Sequence, residues 1–269
     1  MDNKITNKDV ANKAIVLLSG GLDSATVLRL VAIQGYEIYA LSFSYGQKHS
    51  IELEMAKKLA SAEVAVREHK ILNVDLKPLG GSSLTDDQMS IPKAQTTAGH
   101  TTIGQSVAPT GVDVNSINRT ETHIPNTYVP ARNTIFLSYA MAYAEVRRAN
   151  HIFIGANAID YSGYPDCRPA YLKAFEKMAN LGSVMGVAGD AIHIQAPLLY
   201  LNKKQIIQLG SAIMVDYQNT SSCYDPGIII NADGSPIVKA CGRCDSCRFR
   251  LKGFADNGMT DKVEYKTEA

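Results

Sequence analysis

The 269-residue sequence predicts a doubly wound α/β fold on a five-stranded parallel sheet, followed by a cysteine-rich segment. Three observations predict it. Short apolar runs, rich in aliphatic and β-branched residues, alternate with stretches long enough for helices. That is the pattern of strands buried on both faces and joined by crossover helices. The first run ends in a Gly-Gly turn, at the strand end where such sheets bind ligands. Three of the five cysteines fall within residues 241–247.

Residues 14–18 are wholly apolar and read as the first strand. A turn over 19–24 leads into a helix over 25–34, closed by Gly35. The second strand is expected over 36–45, an amphipathic helix over 51–62, and a third, weaker strand over 68–72. A long helix follows at 132–149. Its Ile135, Phe136, Tyr139, Met141, Tyr143 and Val146 spread around more than one face, which predicts a helix largely buried in the core. The fourth strand is placed at 152–155 and a helix at 170–180. A fifth strand at 192–195 precedes Pro197, and another helix begins at 203. Residues 78–126 are rich in Gly, Ser, Thr and Asn, and too long for a simple connection. They are expected as a lid, a substrate loop or a partly disordered insertion. The chain therefore divides into an α/β domain over 1–220 and a metal-binding segment over 221–269 packed on it.

Apolar residues make up 45% and charged residues 20%, a globular balance that excludes a wholly disordered, collagen-like or coiled-coil chain. Lys and Arg number 27 against 26 for Asp and Glu, so no direct nucleic-acid partner is expected. No apolar run approaches the ~18 residues of a membrane span. Residues 1–13 are polar and carry no signal-peptide pattern. The expectation is a soluble, cytoplasmic protein.

Ser19-Gly20-Gly21-Leu22-Asp23-Ser24 links the first strand to the first helix. The glycines permit unusual backbone angles and close approach of an anion. The amides of such a turn and the helix N-terminus attract anions, and Ser19 and Ser24 add hydroxyl donors. The charge of Asp23 suits either a magnesium ion (Mg2+) arriving with phosphates or a role in holding the turn. The segment is neither a Walker A loop nor G-x-G-x-x-G. An ordinary Gly-Gly turn capped by Asp or Ser is the bland alternative. The S-G-G-x-D-S pattern after a buried strand resembles the PP-loop of the N-type ATP pyrophosphatases. That resemblance implies an adenine nucleotide alpha-hydrolase-like fold and ATP as cofactor, cleaved between its α and β phosphates. It assigns Ser19, Gly20, Gly21, Asp23 and Ser24 to the phosphates. Leu17, Leu18, Leu22, Ala25, Thr26 and Val27 flank the nucleotide by position. The strand end at 39–43 either reads the adenine edge with its backbone or is plain core.

Cys241, Cys244 and Cys247 form two successive C-x-x-C steps, and Cys223 lies 18 positions before the first. Four thiolates so spaced suit a closed tetrahedral zinc (Zn2+) site. An iron–sulfur centre or a redox-active set are the alternatives. Cys167 is left over and reads as a small buried apolar residue.

The two signals together resemble the QueC family, the 7-cyano-7-deazaguanine synthases of queuosine biosynthesis. The matching stretches are Leu17 to Thr26, Ser44-Tyr-Gly-Gln-Lys-His49, Val129-Pro-Ala-Arg-Asn133, Gly155-Ala-Asn157, Tyr164-Pro-Asp-Cys-Arg168, Ser222-Cys-Tyr224 and Cys241 to Cys247. The segment near 80–121 is longer than the family's usual loop. The resemblance implies a C–N bond-forming ligase acting on 7-carboxy-7-deazaguanine and ammonia. ATP would activate the carboxylate as an acyl adenylate, ammonia would give the amide, and a second ATP would activate the amide oxygen to leave the nitrile. It also implies a homodimer. A PP-loop tRNA thiolation enzyme and a non-catalytic nucleotide-binding zinc protein are the competing readings.

Three further side chains are candidates for the site. Arg132 follows Pro130 at a helix start, where a cation meets the positive end of the dipole. That cost points to a phosphate or carboxylate partner, with a surface salt bridge as the alternative. Asn133 reads as the helix cap. Asp166 suits the N1–H and amino group of a guanine-like ring, and Arg168 suits a carboxylate in bidentate contact; the alternative is that they bridge each other. Lys203 and Lys204 either reach the phosphates or are solvated. His49 and His193 read as ordinary residues.

Overall fold

The computed structural model describes residues 12–93, 124–159, 163–230 and 236–266. The expected polar leader, apart from residues 12 and 13, and the centre of the expected insertion, 94–123, lie outside the described residues. In chain order the elements are β1 (Lys13–Leu17), α1 (Leu22–Ile33), β2 (Glu37–Ser44), α2 (Ile51–Ala62), β3 (Val66–Asn73), α3 (Arg132–Arg147) and β4 (His151–Phe153). There follow α4 (Pro169–Gly182), the short α5 (Val184–Val187), β5 (His193–Gln195), α6 (Lys203–Ala212), β6 (Gly227–Ile230), β7 (Pro236–Lys239) and α7 (Asp245–Ala255).

The sheet order is β3-β2-β1-β4-β5 and every pairing is parallel. Chain order reverses between β1 and β4, so the crevice above their carboxyl ends is the topological switch point where such sheets hold ligands. β1 is central, and its period-two alternation supplies both faces. Ile15 and Leu17 pack with Leu137, Ala140, Leu172 and Phe175 of α3 and α4. Ala14 and Val16 pack with Leu22, Val27, Ala56, Ile206 and Phe254 on the other side. Burial on both faces is why β1 reads as an unbroken apolar run. β3 lies at the edge with no fully buried residue, and so carries a weak sequence signal although it spans Val66–Asn73.

Some boundaries differ from expectation. α1 begins at Leu22 because extended Gly21 serves as its N-cap, which draws Leu22, Asp23 and Ser24 into the first turn. The fourth strand ends at Phe153, and the following residues leave the ladder to line the crevice. α3 is only half buried. Leu137, Ala140 and Ala144 face the core, while Tyr139 and Val146 are 44% and 74% exposed. One side of α3 meets the sheet, Glu145 accepts the Val184 N–H of neighbouring α5, and Val146 stays exposed.

In the C-terminal segment, β6 and β7 form an antiparallel hairpin and α7 packs on α6. Arg250 of α7, nearly fully buried, donates to Asp261 at 2.6 and 3.0 Å, to Thr220 Oγ1 at 2.7 Å and to the Tyr217 carbonyl at 2.9 Å. Such a fully bonded buried ion pair locks the segment to the domain, because breaking it would strand a charge. No described helix is long and apolar enough to cross a membrane.

Candidate active site

The loop after β1 is held by its own serines. Gly20 takes φ +86°, and a Cβ there would lie 2.0 Å from the Glu52 carbonyl oxygen and 2.8 Å from the Ala56 nitrogen. Only glycine permits this angle at no cost and this contact with the backbone of α2. The Gly20 N–H donates to Ser24 Oγ at 3.1 Å, and Ser24 Oγ donates to the Gly21 carbonyl at 3.0 Å. Ser19 Oγ donates to Ser24 Oγ and accepts from the Gly21 N–H. The Leu22 N–H, first of α1, donates to Ser222 Oγ at 3.2 Å, and the Ser221 N–H donates to the Gly20 carbonyl at 2.9 Å. The C-terminal segment therefore completes the loop. Several amides at a helix N-terminus bond here to small hydroxyls, the arrangement that receives a phosphate.

The loop opens into a cavity of about 240 Å³ between the ends of β1, β2 and β4. Leu17, Leu18, Ser19, Gly21, Leu22, Asp23 and Ser24 line it. Gly20 lies behind the wall, against α2. Ala25, Thr26 and Val27 are not brought to the cavity. They face inward as α1 turns away, and Thr26 Oγ1 bonds the Leu22 carbonyl and the Tyr217 hydroxyl. Leu41, Phe43 and Tyr45 carry β2 along the opposite wall, where Phe43 stacks on Phe136 with ring centres 4.0 Å apart.

Besides Lys48 and Arg250, the cavity is lined by charge in three places. Lys203, buried at the start of α6, donates to both Asp23 oxygens at 2.8 Å. Asp23 thus holds a lysine at the loop, and Lys204 is exposed. Arg132 lines the cavity with its guanidinium 5.9 Å over the Tyr45 ring. Burial opposes its charge, but Tyr45, Tyr164 and Asp166 outweigh that and favour the cation. No described carboxylate lies within ion-pair distance of it, so no surface salt bridge forms among the described residues. Glu52, in the first turn of α2, also lines the cavity. Burial pushes its carboxyl up to about 7, against the opposing pull of Arg132.

Asp166 and Arg168 are placed differently from expectation. Asp166 is off the cavity wall and accepts the Asn133 N–H at 3.1 Å, while Asn133 Nδ2 donates to the Asp166 carbonyl at 3.4 Å and to Cys167 Sγ at 3.3 Å. The residue before α3 is Ala131, at φ +56°, which has no side chain to cap with. The helix therefore draws a carboxylate from another loop to satisfy a free N–H. Asn133 lies within α3 and is the residue capped. Arg168 sits at the N-cap of α4, half-buried and off the wall, and its side chain makes no ion pair with Asp166. His49, at the cavity, stands 3.8 Å from Asp225, while His193 is far away on β5.

Below the site, the sulfurs of Cys223, Cys241, Cys244 and Cys247 lie within 4.8 Å of one another, and all four residues are buried. Zn–S bonds of about 2.3 Å in a tetrahedron require sulfurs about 3.8 Å apart; Cys241 and Cys247 are 4.0 Å apart. The Cys241 and Asp225 N–H groups donate to Cys223 Sγ at 3.1 and 3.3 Å, and those of Cys244 and Arg243 donate to Cys241 Sγ at 3.3 and 3.4 Å. Hydrogen bonds from neighbouring thiols hold Cys241 and Cys244 below the usual thiol range. Clustered sulfurs, N–H donors and closure from solvent fit a structural metal. Cys167 is separate and buried at the cavity wall, its thiol pushed up to about 11 by burial.

Sequence reasoning missed Glu52 and gave no individual role to Tyr45 and Ser222, although both lie in stretches that carry the family resemblance. An acidic residue in a helix's first turn is ordinary, and only the clamp on Gly20 distinguishes Glu52.

Residues 13–258 match the family described as "Queuosine biosynthesis protein QueC". Over 254 residues the chain is 52% identical to the 7-cyano-7-deazaguanine synthase of Desulfatibacillum aliphaticivorans, covering 94% of this chain and 96% of the relative. Against the synthase of Geobacter sulfurreducens, identity is 51% over 259 residues, 96% and 95% of the two chains. Against that of Paramagnetospirillum magneticum it is 50% over 252 residues, 94% and 98%.

Proposed function

The chain belongs to the QueC family of queuosine biosynthesis proteins, and from that premise we propose how its cavity makes a nitrile. The enzyme is an ATP-dependent C–N ligase, a 7-cyano-7-deazaguanine synthase. ATP seats its phosphates on the amides of residues 19–24. The observation that carries this reading is the union, in one cavity, of serine-held amides at a helix N-terminus and a half-buried guanidinium without a carboxylate partner among the described residues. Arg132 takes the anionic oxygens at the reacting centre, first of the 7-carboxy-7-deazaguanine carboxylate and then of the acyl phosphate. The stacked Phe43 and Phe136 offer a flat apolar wall to a purine-like ring. Each activation turns a poor oxygen leaving group into AMP, so the protein's work is placement and charge stabilisation.

The Mg2+ of Mg-ATP neutralises charge on the phosphates. The described residues offer it no dedicated cage, since both Asp23 oxygens are bonded to Lys203. Zn2+ suits the four cysteines and supplies a structural cross-link. Persistent free thiols of this kind suit a reducing cytoplasm.

The test is a single reaction of purified protein with 7-carboxy-7-deazaguanine, ammonium and Mg-ATP, read by mass spectrometry. Nitrile with AMP is expected. No nitrile from folded, zinc-loaded protein would overturn the synthase reading and make tRNA the next substrate.

An open apolar surface supports a homodimer. Leu181, Val184 and Val187, close together in the chain at the end of α4 and in α5, are 72%, 79% and 79% exposed, apolar surface of the kind that marks an interface. Light scattering is expected to give a dimer mass for the native chain and a monomer mass for Val187→Glu. A native monomer would remove this proposal.

A further inference from the structure

We infer that Glu52 is the proton acceptor at the reacting nitrogen, serving both the amide-forming and the nitrile-forming half of the reaction. The inference rests on the synthase reading. Glu52 lines the same cavity as the phosphate loop and Arg132. Its backbone lies against Gly20, so the helix turn that carries the carboxylate is placed directly beside the loop. Among the described residues it makes no hydrogen bond and no ion pair. The neighbouring titratable groups are committed elsewhere. Asp23 is bonded to Lys203, Lys48 donates to the Met89 carbonyl at 2.8 Å, and His49 faces Asp225. Burial pushes Tyr45 up to about 12 and Cys167 up to about 11, and raises Tyr164. Glu52, its carboxyl pushed up to about 7 by burial, is left as the cavity carboxylate with no bonded partner among the described residues.

At neutral pH ammonia is present almost wholly as ammonium, which an anionic carboxylate attracts and deprotonates. The freed nitrogen lone pair attacks the acyl adenylate carbonyl. The C–O bond to AMP breaks, and the proton lost from nitrogen passes to a base and then to water. In the second half the amide oxygen displaces pyrophosphate from ATP. The adenylated amide loses its remaining N–H protons as the C–O bond to AMP breaks, leaving the C≡N bond. No oxidant or reductant enters. Every proton removed is on the same nitrogen, so one carboxylate at one place suffices. A base poised near the working pH is the efficient one.

The test compares wild type with Glu52→Gln, full length and zinc-loaded, and needs wild-type nitrile formation as its baseline. If wild type makes none, the synthase reading has failed rather than this one. Pyrophosphate exchange into ATP, dependent on 7-carboxy-7-deazaguanine, is expected to change less than about threefold, because adenylation needs no base. Nitrile formation from ammonium is expected to fall about 100-fold, the lower end of general-base effects. Hydroxylamine is already neutral at pH 7, so hydroxamate formation should fall less than tenfold. Ionisation also has a readout apart from activity. An acid whose value is raised by folding stabilises the protein below its ordinary value and loses that contribution as pH climbs through its folded value. Wild-type Tm is therefore expected to fall relative to Glu52→Gln between about pH 4.5 and pH 7. Parallel loss of exchange and nitrile, or equal losses with ammonium and hydroxylamine, would overturn the inference and leave Glu52 a structural residue.

Discussion

Gly20→Ala is expected to abolish turnover, lowering nitrile formation by at least about 100-fold, and to destabilise the protein by about 2–6 kcal/mol. Two costs add. At φ +86° any side chain is strained, worth about 1–3 kcal/mol. The new methyl would also lie 2.0 Å from the Glu52 carbonyl oxygen and 2.8 Å from the Ala56 nitrogen. These are backbone atoms that no rotamer change can move, and forced overpacking costs about 1–3 kcal/mol more. Relief requires α2 to retreat or the loop to open. The first takes Glu52 from its place in the cavity. The second breaks the Gly20 N–H bond to Ser24 and the Ser221 N–H bond to the Gly20 carbonyl. A urea titration gives the stability change, and equilibrium dialysis with a non-hydrolysable ATP analogue gives the binding loss. Native ATP affinity in Gly20→Ala would show that the close approach is not needed for the phosphate site.

Cys244→Ser is expected to lose the metal and most of the folded yield together. Cys244 is fully buried, its sulfur accepts from the Tyr224 N–H, and it is the N-cap of α7. Structural zinc contributes about 10–16 kcal/mol in small zinc modules, whereas a whole domain's stability is about 5–15 kcal/mol. Even a fraction of the metal term is therefore decisive. The damage should travel to the active site, because the segment that follows Thr220 supplies Ser221 and Ser222 to the loop. Three measurements follow on protein recovered at low temperature: zinc content, Tm, and limited proteolysis. The expected result is less than one zinc per chain, a Tm lowered by 10 °C or more, and early cleavage in residues 221–266. A metal-free variant with native Tm would remove the structural role of the metal.

The strand and helix order was legible because each element carries its own local pattern. A run such as Ala14 to Leu18 shows burial on both faces by having no polar residue. β3 was faint because an edge strand need bury little. The Gly-Gly loop after β1 and the clustering of the four cysteines were legible for a related reason. Their chemistry depends on residue types at short spacing, with only Cys223 distant in the chain.

The errors share a different cause. Asp166 was read as facing a ligand, yet it caps α3, because Ala131 cannot. Asn133, read as a cap, is the residue capped. Asp23 was read as meeting a magnesium ion or holding the turn, and the partner the structure gives it is Lys203, which lies 180 positions away. The apolar residues of α3 promised full burial, but one side of the helix meets no described element. Ala25, Thr26 and Val27 belong to the loop's sequence but not to its cavity, because a helix turns them inward.

The sequence alone determined the layers of the sheet, the position of the Gly-Gly loop at a strand end, and the grouping of the cysteines. These rest on periodicity, glycine placement and cysteine spacing, all of which act over a few residues, whereas the family's chemistry came from the resemblance that its motifs carry. Which charges are paired and which stand open was decided only by the tertiary structure. Lys203 neutralises Asp23, Asp166 satisfies α3, and Arg132 and Glu52 are left facing one cavity. Pairing depends on distances across the folded chain, and burial sets how strongly each charge is felt, so neither is written in any local stretch.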